Sequence, residues 1–221
     1  MSIRLSATKL KTYDNCPLQY KYLYELLIQL DNDALLLGSA YHNLLERYHG
    51  QEILIPEKFS EQLELIKKYK ESPVNGEIIT REERFKIELT IDKEDSSEDV
   101  IIDGVFDRRD VDKTVEYKTS SFDYKDVDID NFQTKLYIWR DKLYELLPIV
   151  YHINNKKKTT SKKYKPQIIE VKPDRFPPEE TEKEILDVAS KISKKEFPHK
   201  PGHCFYCPFP KTNCNKYYDQ K

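Results

Sequence analysis

From residue 84 onward the spacing of apolar positions shortens from a helical period toward two. RFKIELTI (84–91) alternates apolar with polar side chains, and VIIDGVFDRRD (100–110) and KTVEYKT (113–119), separated from it and from each other by charged turns, are rich in β-branched and aromatic residues. That pattern predicts three successive strands joined as an antiparallel meander. Upstream the period is helical. Ser6 is placed to cap a short helix through Tyr13 that stops near Cys16-Pro17, and PLQYKYLYELL reads as a second helix with Pro17 in its first turn. After the turn-prone DND, LLLGSAYHNLLERYHG repeats its apolar residues at helical spacing, carries His42 at its middle and ends at Gly50. A more polar helix is expected over 56–70. Beyond the meander the pattern predicts a long helix from about Asp126 to Glu145, strands in PIVYHI and PQIIEVK, and a last helix from Pro177 to about Lys195. Strands in one block, with helices before, between and after them, imply an α/β fold with a central mixed sheet flanked by helices. The 221 residues suffice for one domain, 1–221, with a substantial core.

Composition narrows the setting. With 38% hydrophobic and 34% charged residues, 16 tyrosines and one tryptophan, the chain reads as globular with much solvated helix surface. MSIRLSATKL lacks the apolar segment of a secretory signal, and the longest apolar runs are far too short to span a bilayer. A cytoplasmic protein without membrane contact is therefore expected. In a reducing compartment its four cysteines are better read as metal ligands than as disulfides. The net charge of -2 argues neither for nor against nucleic acid, because a nucleic-acid enzyme combines an acidic metal site with a local basic track. NNKKKTTSKKYK (154–165) is such a local concentration, readable equally as a solvated hairpin loop or as a phosphate-contacting one. Tyr164, between Lys163 and Lys165, is either a base-stacking residue or an ordinary strand position.

The candidate chemistry lies in GVFDRRD (104–110) and EYK (116–118). Asp107 falls near the end of one predicted strand and Glu116 near the end of the next, so a short turn would bring two carboxylates together beside Lys118. Like charges at close range repel unless a cation lies between them, and hard carboxylate oxygens suit Mg²⁺ or Mn²⁺. An isolated acid-x-lysine on a strand is, as a rule, a solvated ion pair worth little. Asp103 competes with Asp107, since an unbroken strand puts both on one side and Gly104 could host a bulge that alters this.

The company these residues keep changes the balance. GSAYHNLLERY, GVFDRRD, EYKTS, FQTKLYIW and one N-terminal cysteine with a C-terminal trio occur in this order along nearly the whole chain. Together they resemble the RecB-like branch of the PD-(D/E)xK nuclease superfamily. The resemblance implies a restriction-endonuclease-like core. It implies His42, Asp107, Glu116 and the backbone carbonyl of Tyr117 as metal ligands, Lys118 as the catalytic lysine, and Gln133 and Tyr137, from a QxxxY motif, as residues that contact the site or the DNA backbone. An imidazole ligand would favour Mn²⁺ somewhat over Mg²⁺. Glu116 stands where many relatives have aspartate, and Ser120 where glycine is frequent; neither change removes a needed functional group. The implied activity is metal-dependent DNA hydrolysis at free or single-stranded ends, leaving 5'-phosphates, in recombination, repair, replication or CRISPR adaptation with partner proteins. The alternative is a noncatalytic DNA-binding or scaffolding subunit of such a complex.

Cys16 stands alone, while CFYCPFPKTNC supplies Cys204, Cys207 and Cys214. Three thiols at this spacing plus one distant thiol make four ligands for one centre, and zinc and a [4Fe-4S] cluster both accept four thiolates. Iron-sulfur-bearing RecB-like nucleases, including AddB-type nuclease domains and CRISPR-associated relatives, carry this one-plus-three arrangement. The resemblance therefore implies a structural [4Fe-4S] cluster in a small subdomain formed by about 1–25 with about 196–221.

Overall fold

The structure is a computed structural model of the chain, and it describes residues 2–28, 74–93, 96–120, 122–125, 129, 131–142, 147–155, 166–201, 204, 207–209 and 214. The expected helices around His42 and over 56–70, and residues 156–165 of the lysine loop with Tyr164, lie outside the described residues.

The meander is present. β2 (Ile78–Lys93) and β3 (Ser96–Asp110) form a long antiparallel hairpin, and β3 returns antiparallel to β4 (Thr114–Ser120). β5 (Ile149–Asn155) joins β4 in parallel, and β6 (Gln167–Val171) closes that side antiparallel to β5. A strand absent from the pattern reading, β1 (Ile3–Leu5), pairs in parallel with Val100–Ile102 of β3. Three residues are too few for a period to declare itself; β1 is a strand because β3 offers it an edge.

This is a mixed six-stranded sheet in which β3 has three neighbours. β2 follows β3 along nearly its full length, so β1 and β4 must share the opposite edge, β1 at residues 100–102 and β4 at 108–109. Residues 103–107 lie between them, in a gap where neither strand supplies a ladder.

The helices differ from their expected bounds in informative ways. α1 (Ala7–Asn15) starts on Ser6, whose Oγ accepts from the Lys9 N–H at 3.4 Å, and runs two residues past Tyr13. Pro17 does open α2 (Pro17–Tyr20), but the segment then widens into a π-helical turn over Lys21–Glu25. α3 (Phe132–Lys142) is capped by Asn131, whose Oδ1 accepts from the Gln133 N–H at 2.9 Å and the Thr134 N–H at 3.3 Å; Ile129, within the expected helix, is also helical. α4 (Pro178–Ser193) has Pro178 at its first position and lays Ile185, Val188, Ala189 and Ile192 into the core.

α1, α3 and α4 contact one another and pack on the sheet, with Leu10, Leu136, Trp139, Ile102, Phe106 and Ile149 among the buried side chains. Gly104 is dictated by this packing. A Cβ there would lie 2.0 Å from Cζ of Phe85, whose ring crosses the strand to sit 4.8 Å from Phe106 and 6.2 Å from Tyr137, centroid to centroid. At the far end of β3, Arg108 forks onto Asp110 at 2.6 and 2.7 Å with both side chains buried, and spends a further N–H on the Val74 carbonyl at 3.0 Å. The pair pins the start of β2 to the β3–β4 turn.

Candidate active site

The gap in β3 is where the chemistry-bearing residues gather. Beyond the Arg108–Val115 pairing, β3 and β4 cease to bond as strands, and the Asp107 side chain fills in: its Oδ2 accepts from the Tyr117 N–H at 2.8 Å. A residue's N–H and C=O leave a strand by the same edge, so the Tyr117 carbonyl also projects toward the gap. Glu82, bracketed by the pairings of its neighbours to Phe106 and Arg108, has φ 50°, a left-handed backbone that non-glycine residues seldom adopt. The hairpin backbone is thus strained opposite Asp107 without a break in register, and such strain clusters at functional sites.

Glu116 is 1% exposed. A carboxylate so buried must be compensated. Its Oε1 accepts from Lys118 Nζ and, at 2.6 Å, from Gln133 Nε2. Gln133 is fixed from both ends: its Oε1 accepts from Lys118 Nζ at 2.8 Å, and its Nε2 also donates to the Tyr137 hydroxyl at 3.0 Å. That hydroxyl in turn donates to the Val105 carbonyl in the gap. Glu116, Lys118, Gln133 and Tyr137 therefore form one connected network, anchored on β3 through Tyr137. The spacing of four in Gln133 and Tyr137, legible in the sequence, is what lets one helix face supply both.

Electrostatics follow from this geometry. Burial works to lower the Lys118 pKa, but Glu116 and Asp107 outweigh it and leave the pKa raised, so the side chain is an ammonium. It is 25% exposed and so faces solvent as well as the carboxylates. Burial, reinforced by Glu116 and Asp107, pushes the Tyr137 phenol well above its usual value and keeps it a neutral hydroxyl. Asp103, the rival acid, is engaged elsewhere: Arg4 of β1 forks onto it at 2.9 to 3.1 Å. A groove of about 540 Å³ runs from Gln133 and Tyr137 past Val105 to Arg4 and Arg84.

Asp107 and Glu116, both near enough to Lys118 to raise its pKa, supply hard carboxylate oxygens of the kind that Mg²⁺ or Mn²⁺ takes. His42, the expected third ligand, lies outside the described residues. Apart from this network, Cys16, Cys204, Cys207 and Cys214 all line one cavity of about 260 Å³, along with His199, whose Nε2 is 3.1 Å from the Cys204 sulfur. None is in a disulfide. Burial above all raises the pKa of the Cys207 and Cys214 thiols. Among the described residues, no three His, Cys, Asp or Glu side chains are drawn together closely enough to hold a metal, at either place. No described helix is long and apolar enough to cross a membrane.

Sequence reasoning missed the Asn131 cap that places Gln133 in the first turn of α3. It also missed Gln167 and the aromatic pair Phe122 and Tyr124 that follow the catalytic-type strand. An asparagine just before FQTKLYIW was a readable signal; the aromatic pair, six and eight residues past Glu116, carried none that separates it from ordinary loop residues.

Comparison with known proteins points the same way. The family model for the PD-(D/E)XK nuclease superfamily matches residues 4–214. A solved structure described as "Crystal structure of SSO0001" is similar over 95% of this chain and 85% of that one, with a TM-score of 0.52 and 15% identity, a likeness of fold. No curated protein shows significant sequence similarity to the chain.

Proposed function

Because the chain belongs to the PD-(D/E)XK nuclease superfamily, which implies metal-dependent nuclease activity on DNA, we propose that it is an exonuclease working through Asp107, Glu116 and Lys118. The observation that carries this reading is the gap in the sheet, where Asp107 is turned onto the Tyr117 N–H and Glu116 is buried against Lys118. Asp107, Glu116 and the Tyr117 carbonyl would hold the divalent ion, with His42 as a further ligand. When bound, such an ion polarises a phosphoryl oxygen and lowers the pKa of water.

The chain's own residues do the rest. Lys118, as an ammonium, donates: it orients the attacking water and offsets negative charge growing on the phosphate. Gln133 holds the Lys118 ammonium and the Glu116 carboxylate at fixed distances, so neither must reorganise during the reaction. Tyr137 fixes Gln133 and ties the network to β3. Action on free ends is carried over from the RecB-like resemblance.

The four cysteines are read as ligands of a structural [4Fe-4S] cluster, with zinc as the alternative. Their lining of one cavity supports a shared centre. Such a centre would tie residue 16 to 204–214 and join both ends of the chain in one subdomain, lowering the entropy of the unfolded ensemble. It has no part in hydrolysis.

The test is a product map on end-labelled single- and double-stranded DNA with Mn²⁺, using anaerobically purified protein beside Lys118→Ala. Stepwise shortening from an end, abolished by Lys118→Ala, is expected. Internal cuts alone would overturn the exonuclease reading, and hydrolysis that persists without metal or without Lys118 would overturn the site. Metal content of the same sample decides the second centre: brown protein with about four irons is expected, and a colourless zinc-loaded one would replace the cluster with zinc.

A further inference from the structure

Immediately after β4 the chain presents an exposed aromatic ring. Phe122 is 59% exposed, and its ring lies along that of Tyr124 with centroids 6.1 Å apart and planes 25° apart. One exposed apolar side chain is ordinary. What distinguishes this one is how firmly its backbone is held. The Phe122 N–H donates to Ser120 Oγ at 3.1 Å. Two residues on, the Gln167 side chain, reaching from β6, accepts from the Tyr124 N–H and donates to the Tyr124 carbonyl, both at 2.8 Å. A side-chain amide thus occupies both hydrogen-bonding groups of Tyr124, as a neighbouring strand would. Ser120 has a use here as the acceptor that shapes the turn.

We propose that Phe122, backed by Tyr124, is a stacking platform for an unpaired nucleobase of the DNA strand whose phosphodiester is cut. The proposal rests on the nuclease reading above. Phe122 lies four positions after Lys118, a span of at most about 14 Å. At about 3.4 Å per stacked nucleotide, the base concerned lies within about four nucleotides of the scissile phosphate. A nucleobase is the occupant that fits. Two rings are far smaller than the roughly 800 Å² per partner of a stable protein interface, whereas a flat π-face on a fixed backbone is what base stacking uses. Because the gripped base must be out of its pair, the platform favours single strands and frayed ends and is indifferent to sequence.

The experiment measures KM and single-turnover rate for end-labelled single-stranded DNA, with wild type, Phe122→Ala and Phe122→Trp. A parallel substrate series carries one abasic residue at each of the four positions on either side of the cut. Stacking is worth about fivefold or more in affinity per base. KM is expected to rise about fivefold or more in Phe122→Ala and to hold in Phe122→Trp. One abasic position should raise the wild-type KM by a similar factor and leave that of Phe122→Ala unchanged. The abasic series on wild type reads the platform even if the alanine variant folds poorly. If wild type cleaves but neither Phe122→Ala nor any abasic position alters KM, the platform is wrong and the nuclease reading stands. If wild type cleaves no DNA with Mn²⁺, both fall.

Discussion

Tyr137→Phe removes a single oxygen and tests whether the site is one network. That oxygen donates to the Val105 carbonyl and accepts from Gln133 Nε2 at 3.0 Å. Each bond contributes about 0.5–1.5 kcal/mol net, and a buried group left without its partner costs about 1–3 kcal/mol. The Tyr137 ring is 3% exposed and stays packed on Phe106 at 4.7 Å in the phenylalanine variant, so little else changes. A loss of about 2–3 kcal/mol in unfolding free energy follows. Function should drop as well. Gln133 loses the anchor that fixes its amide, and with it the contact that orients Lys118 at 2.8 Å. A positioning contact worth about 1.4 kcal/mol corresponds to about tenfold in rate. Urea unfolding gives the first quantity; single-turnover cleavage of end-labelled DNA at saturating Mn²⁺ gives the second. A variant that is destabilised but cleaves at the wild-type single-turnover rate would refute the claim that Tyr137 acts on the chemistry through Gln133.

Other perturbations probe the frame around the site. Gly104→Ala forces a Cβ into the Phe85 ring and should cost about 1–3 kcal/mol in urea unfolding, with part of the loss recovered when Phe85→Leu is added. Asp110→Ala leaves the buried Arg108 guanidinium without its carboxylate and should cost about 3–5 kcal/mol in the same assay; a loss under 1 kcal/mol would show that the pair is solvated. Burial, with Glu196 and Asp187 adding, pushes the Tyr13 phenol up to about 12. The folded value therefore exceeds the unfolded value of about 10, so the stability it contributes is full below pH 10 and is lost as pH rises through 12. Tyr13→Phe, which also removes the 2.6 Å hydrogen bond to the Glu196 carbonyl, should be less stable than wild type at pH 8, with a smaller further loss at pH 11.

Much of the frame was written locally. Period-two alternation marked β2, runs rich in β-branched and aromatic residues marked β3 and β4, Ser6 and Pro17 marked helix starts, and the spacings of Glu116 with Lys118 and Gln133 with Tyr137 put each pair on one face. Those features depend on neighbours within a few residues, so sequence alone determines them. The tertiary structure decided what lies across distance. It set β1 and β4 on one edge of β3 with a gap between them, and it gave Asp103 to Arg4, 99 residues away, leaving Asp107 to the site. It also let Gln167 clamp Tyr124 across 43 residues and so present Phe122. Hydrogen bonds between remote backbone and side-chain groups form only once the sheet has assembled, and no periodicity along the chain encodes which edge will be left for them.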